Sequence, residues 1–181
     1  RRLSSTPADK TAERQAKVVD RVDRASLTMQ YLTETLLWLS RESDEALPVT
    51  SLALDEFIHR LTDELRYLVA NKNISIEIDT EPCLIDLPEV PARIILSNLI
   101  RNAFQHTWDG RVVISQRGDH VSIVNEQLEP SQENTDLGFG LGLQLTAQLT
   151  AKLGWHYQND VTNKGHSVSV SFGKISRSRV R

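Results

Sequence analysis

The chain has 181 residues, 39% of them hydrophobic and 25% charged, which is enough for one compact core with an accessory element. A formal net charge of −3 argues against nucleic acid as the main partner, because binders of the phosphate backbone carry a clear excess of Lys and Arg. The single cysteine, Cys83, rules out an intrachain disulfide, no apolar run is long enough to cross a bilayer and no signal peptide is visible, so a soluble, cytoplasmic chain is expected.

Taken in chain order, residues 4–9 are turn-like, and Pro7 suits a breaker or the first turn of a helix. A helix is expected over residues 11–43. Val18, Val22, Ala25, Met29, Leu32, Leu36 and Leu39 alternate spacings of four and three, a heptad seam that wants a partner helix. Tyr31, Leu37 and Trp38 widen the apolar surface near its C-terminal end, as where a helix faces more than one neighbour. Pro48 then separates residues 1–46 from a second unit, residues 50–173, and residues 174–181 form a basic tail.

Within the second unit, Phe57, Ile58, Leu61, Leu65 and Leu68 give a helical period over residues 55–71. Ile74 to Asp79 alternates at period two, the sign of a half-buried strand, and Cys83-Leu-Ile is a short strand candidate. Asp86 is placed to cap the following helix and Pro88 to start it. Residues 111–116 and 120–124, joined at Arg117-Gly-Asp, read as a hairpin. A helix over residues 141–153 ends at Gly154, and residues 155–159 and 167–172 close the fold as a second hairpin. The expected class is α+β: a long helix, then an α/β sandwich whose mixed, mainly antiparallel sheet carries helices on one face.

Two segments carry chemistry. Asn98, Asn102 and Gln105 recur at helical spacing, so their carboxamides share one face, while Leu96, Leu99, Ala103 and Phe104 turn into a core. Carboxamides ligate a hard cation through oxygen and donate to phosphates through nitrogen. The run Gly138-Phe139-Gly140-Leu141-Gly142-Leu143 opens a helix, where glycines admit a ligand close to the backbone and free N–H groups face an anion. Together they read as an ATP site. The segment from Asn98 to Thr107 resembles the N-box, and Gly138 to Leu143 the second glycine box, of bacterial sensor histidine kinases. Those kinases belong to the superfamily of gyrase, Hsp90 and MutL, whose nucleotide-binding domain is the Bergerat fold.

The resemblance covers nearly the whole chain, with residues 52–173 similar to the catalytic ATP-binding domain and the long helix similar to the second helix of the dimerisation and phosphotransfer hairpin. It implies that Asn98 and Asn102 hold Mg²⁺ at the triphosphate end, that His106 lies beside phosphates or sugar, and that Gln105 and the glycine run complete the pocket. Asn125 stands where the family's adenine-binding aspartate is expected, followed by Glu126-Gln-Leu-Glu-Pro rather than by glycines. Gln127, Ser131 to Thr135 and Asp136 then fall in the ATP lid, and Lys164-Gly-His-Ser replaces the third box. Also implied are a homodimer, a response-regulator receiver domain as partner, and a parent anchored in the bacterial inner membrane. None of the five histidines lies in a phosphoacceptor box: His59, His120, His156 and His166 read as structural or surface residues. Autophosphorylation by this chain alone is therefore not expected. At the position where ATP-hydrolysing relatives place a glutamate, the chain has Asn98, and a carboxamide has no useful basicity toward water. The competing reading is a nucleotide-free signalling and dimerisation module of the same fold. A kinase of the anti-sigma-factor type shares the ATP site but leaves the heptad helix unexplained.

Overall fold

The computed structural model describes residues 7–41, 47–127, 139–162 and 165–173, with side chains outside the description at residues 7–13, 16, 17, 20, 24, 139, 140 and 162. Expectations for Gly138, for the lid beyond Gln127, for Lys164 and for the basic tail lie outside these residues.

Helix α1, Pro7–Ser40, begins four residues before the expected start, with Pro7 as its first residue rather than a breaker, and ends three residues before the expected end. Strand β1, Thr50–Ala53, pairs antiparallel with β3, Leu84–Leu87, as a separate two-stranded ribbon. Between them lie α2, Leu54–Leu65, extended by a 3₁₀ turn at Arg66–Val69, and β2, Asn73–Asp79. Then come α3, Glu89–His106, β4, Asp109–Arg117, and β5, His120–Gln127. Helix α4, Phe139–Lys152, β6, His156–Thr162, and β7, Gly165–Ser171, complete the chain. The main sheet runs β2-β4-β5-β7-β6, with β2 parallel to β4 and every other pair antiparallel. This is the mixed, mainly antiparallel sheet expected of the α+β class.

Alternation along the strands puts one face of the sheet under the helices. Val112, Ile114, Val121, Ile123, Val168 and Val170 are buried there against Leu96, Leu99, Ile100 and Phe104 of α3. The opposite face is polar, with Arg111 bridging Glu126 at 2.9 Å and Glu77 at 3.7 Å. Such exposed pairs add little stability. Helix α4 ends as expected: Gly154 takes φ +71°, Gly154 N donates to Ala151 O at 3.1 Å and Trp155 N to Thr150 O at 2.8 Å, a Schellman motif. At the end of α3 the Lys72 ammonium donates to the carbonyls of Phe104, Gln105 and Thr107 at 2.6, 2.9 and 3.0 Å. A cation on the last carbonyls satisfies orphan acceptors and the helix dipole together.

Helix α1 packs on α4 and α3. Tyr31 and Thr35 are buried in that contact, and Leu32, Trp38 and Leu39 pack against the core. Lys152 fastens the far end by donating to the carbonyls of Leu39, at 2.7 Å, and of Arg41. The heptad seam is thereby split. Val18, Val22, Met29 and Leu36 are 59, 61, 68 and 54% exposed, whereas Leu32 and Leu39 turn toward the domain.

Three local expectations change. Asp86 is not a cap: it sits in β3 opposite Ser51, and the N-cap of α3 is Pro88, with no side-chain cap bond. Gln127 closes β5 and donates to His106 O at 3.0 Å, so it belongs to the sheet rather than to a lid. Cys83, expected to open a strand, precedes β3 and packs half-buried against the core. The ribbon strand β1 has no counterpart in the periodicity, being only four residues long.

Candidate functional site

Cross-strand register decides which side chains meet beneath the helices. Ile76, Val112, Asn125, His166 and Val161 form one row across the five strands, because each is the direct partner of the next. Partners directly opposite share a face, so Asn125 and His166 stand side by side under the gap between α3 and α4. That gap is lined by Leu99, Asn102, Ala103, Ile123, Asn125, Leu143, His166 and Val168. Asn102 reaches it from α3 and Asn125, only 6% exposed, from the central strand. Neither carboxamide makes a side-chain hydrogen bond among the described residues, and Gln105 Nε2, one turn further along α3, is buried without a partner as well. Polar groups of a packed interior are paired as a rule, so amides left open over an apolar floor are candidate contacts for another molecule. The gap itself is narrow, with about 10 Å³ of open space. Beyond the Leu143 and His166 side chains lies a wider, mainly apolar cavity of about 520 Å³, walled by Gln144, Ala147, Tyr157, Asn159 and Val161.

The first Asn of the pair is in a different state. Asn98 is 1% exposed; its Nδ2 donates to Thr146 Oγ1 at 3.1 Å and its Oδ1 accepts from Arg101 at 2.6 Å. Thr146 also donates to Gly142 O at 3.0 Å and meets the Tyr31 hydroxyl of α1 at 2.5 Å. The face expected to present three carboxamides to a ligand is thus divided: Asn102 opens onto the gap, while Asn98 is closed under α1 and α4. Helix α3 is covered on both sides, which its helical wheel alone does not reveal.

The remaining expected residues are distributed as follows. Gly142 lies in the first turn of α4 beside Asn98 and Tyr31, at ordinary contact distance for an added Cβ, 4.0 and 3.9 Å. Leu143 lines both cavities, and Leu141 is 55% exposed. Phe139 and Gly140 form the start of α4. His106 is half-buried at the end of α3, and its carbonyl is held by Gln127. Among the described residues no group of three His, Cys, Asp or Glu could hold a metal ion. A metal here would rest on carboxamide oxygens and on oxygens brought by its ligand, which suits Mg²⁺ better than a transition metal.

Four further residues adjoin the expected ones: Tyr31, Arg101 and Thr146 around Asn98, and His166 beside Asn125. Arg101 carried a faint sequence signal as a cation within the apolar run of α3, three residues after Asn98. His166 carried none, since its place beside Asn125 comes from long-range strand register. Burial lowers the His166 pKa below its ordinary value, opposed by Asp160. Gly165 next to it is required by close approach, since a Cβ there would lie 1.8 Å from the Asn125 carbonyl oxygen.

No protein-family model and no curated protein sequence matches the chain. Solved structures do. The cytoplasmic segment of histidine kinase QseC superposes with TM-score 0.63 at 17% identity, covering 84% of this chain and 95% of that one. The catalytic domain of histidine kinase ThkA, in a nucleotide-free form, gives 0.59 at 19%, covering 71% and 98%. Full-length ShkA in complex with AMPPNP gives 0.65 at 17%, covering 94% of this chain and 40% of that one. The chain therefore has the fold of histidine-kinase catalytic domains, and the likeness to ShkA takes in most of α1 as well.

Proposed function

We propose that the chain is the ATP-binding kinase core of a two-component sensor histidine kinase. In this reading residues 50–173 bind ATP in the gap between α3 and α4, and the seam on α1 belongs to a dimerisation and phosphotransfer hairpin within residues 1–46. The γ-phosphate passes to a histidine presented by a partner helix, for relay to an aspartate of a response-regulator receiver domain. The observation that carries the reading is the pair of unpartnered carboxamides, Asn102 and Asn125, aimed from helix and strand into one apolar gap. An Asn carboxamide can offer acceptor and donor together to the amino edge of adenine. The glycine-bearing start of α4 would face the phosphates, and the AMPPNP bound by the similar ShkA supports a nucleotide in this fold.

Mg²⁺ would be held through the carboxamide oxygens of Asn98 and Asn102, where its charge would offset that of the triphosphate. Asn102 is available for this, whereas Asn98 Oδ1 accepts from Arg101. Neither asparagine can deprotonate water, so the residues hold and orient the nucleotide for an external nucleophile rather than for hydrolysis. The exposed side of the seam, Val18, Val22, Met29 and Leu36, supports self-association through α1.

The engaged state of Asn98 and the narrowness of the gap favour one competitor, a nucleotide-free signalling module of the same fold. Calorimetric titration with Mg-AMPPNP, beside Asn102→Ala, separates the two. Micromolar to submillimolar binding abolished by the substitution supports the kinase core; a folded chain that takes up no nucleotide belongs to the competitor.

A further inference from the structure

Arg101 is a buried cation that forms no ion pair with a carboxylate among the described residues. It is 8% exposed; one terminal nitrogen donates to the Leu27 carbonyl of α1 at 2.9 Å and the other to Asn98 Oδ1 at 2.6 Å. Its guanidinium carbon lies 5.3 Å from the centroid of the Tyr31 ring, and Nε has no partner. Burial lowers its pKa, with Tyr31, Tyr67 and Glu34 opposing in lesser measure. Neutral oxygens and a ring compensate a desolvated charge less well than a paired anion does.

The surroundings indicate which anion. Gly142, in the first turn of the fourteen-residue α4, adjoins both Asn98 Nδ2 and Tyr31. The first turn of α4, where backbone N–H groups have no intrahelical acceptor, thus adjoins a carboxamide that accepts from the guanidinium, and Tyr31 covers it, its hydroxyl 3.1 Å from Gly142 O. A planar guanidinium fork matches phosphate oxygens in pairs.

We infer that Arg101 is a phosphate-binding residue of this site and that docked α1 holds it in reserve. The inference rests on the nucleotide reading above. Leu27 and Tyr31 of α1 compete with the polyphosphate for Arg101, Asn98 and the start of α4. Because coupling between two binding events is reciprocal, nucleotide loosens α1 by the same factor by which docked α1 weakens nucleotide.

The test compares adenosine, which lacks phosphates, with Mg-AMPPNP, by calorimetry on the whole chain. Arg101→Gln should weaken Mg-AMPPNP by about tenfold or more, the scale of one charge-assisted hydrogen bond, and leave adenosine unchanged. Tyr31→Phe should tighten Mg-AMPPNP severalfold, again without effect on adenosine. Amide exchange around Leu27 to Thr35 in the native chain should speed up when Mg-AMPPNP is added. Should Arg101→Gln fail to fold, Arg101→Lys replaces it, keeping the charge but not the fork, and is expected to lose part of the same discrimination. An unchanged ratio of the two affinities in the Arg101 variant, or weaker Mg-AMPPNP binding in Tyr31→Phe, overturns the inference while leaving the nucleotide site standing. A native chain that binds neither ligand overturns both.

Discussion

The two ends of the gap between α3 and α4 are furnished with the same chemistry and are in opposite states. At one end Asn98 spends both halves of its carboxamide on Thr146 and Arg101, beneath Tyr31 of α1. At the other, Asn102 and Asn125 spend neither on a described residue, beside His166 and Leu143. The difference lies in what covers each end. Helix α1 closes the first, whereas the second faces only the narrow gap and the wider cavity behind it. A saturated group contributes to stability and an open one to binding, so substitutions at the two ends should separate fold from ligand.

The largest effect is expected from the backbone of the open end. Gly165→Ala places a Cβ 1.8 Å from the Asn125 carbonyl oxygen, within the β5–β7 pairing that sets Asn125 beside His166. Strands that must part lose ladder bonds and packing together, so a cost of about 3 kcal/mol or more is expected, at the upper end of overpacking. A shift in urea midpoint measures it. Gly142→Ala, at the closed end, meets nothing nearer than 3.9 Å and lies within a helix, so it should be neutral or stabilising by up to about 1 kcal/mol. If both alanines prove equally harmful, the glycines are not distinguished by packing and the contrast fails.

Next in size come the asparagines themselves. Asn98→Ala strips Thr146 of a donor and Arg101 of an acceptor in a buried place, for a loss of about 2–3 kcal/mol. Asn102→Ala breaks no described side-chain bond and should fall within about 0.5 kcal/mol, while abolishing nucleotide binding. Thermal melts of the two variants, with and without Mg-AMPPNP, read both quantities. Equal destabilisation would mean that Asn102 is structural after all.

A smaller change is expected at Tyr157, in the wall of the wider cavity. Its hydroxyl is buried without a partner, and its pKa is pushed up to about 12, chiefly by burial and secondarily by Tyr31. Tyr157→Phe gives up no hydrogen bond and should be neutral or stabilising by up to about 1 kcal/mol. The folded phenol stays neutral where the unfolded one ionises, so stability should fall as pH rises from about 10 toward 12. The Phe variant should lose that part of the alkaline slope.

Sequence periodicity located most elements because each signal was local. The seven alternating residues of β2, the Gly118-Asp119 turn and the Gly154 stop need only their neighbours. Local logic also explains the failures. Asp86 has the right chemistry for a cap, but its backbone is committed to β1, a partner strand whose four residues leave no pattern. Asn98 does share a face with Asn102, as spacing requires, yet that face turns inward at Asn98 because α1 lies over it. The seam of α1 was legible as apolar, but not the division that sends Leu32 and Leu39 inward and leaves Met29 and Leu36 outside. His166 became part of the site only through registers linking β5, β7 and β6, separations that no window of sequence spans.

The smallest expected effect is the pH response of that histidine. Burial holds the folded pKa of His166 below its ordinary 6.5, with Asp160 pulling the other way. Its Nε2 is in hydrogen-bonding contact with Asn159 Oδ1, an acceptor only, which selects the Nε2–H tautomer of the neutral ring. Between the folded and unfolded pKa values the unfolded chain binds more protons, so stability must fall as pH drops below about 6.5 and level off once the folded ring titrates too. His166→Gln keeps a polar group on the strand but removes the titration, and should flatten the native chain's stability profile across this window. The open end would then respond to acid while the closed end, held by Asn98, Thr146 and Tyr31, would not. A native profile that stays flat, or one whose slope survives in the Gln variant, would show that His166 is as freely hydrated as a surface histidine and that the gap beside Asn125 is wet.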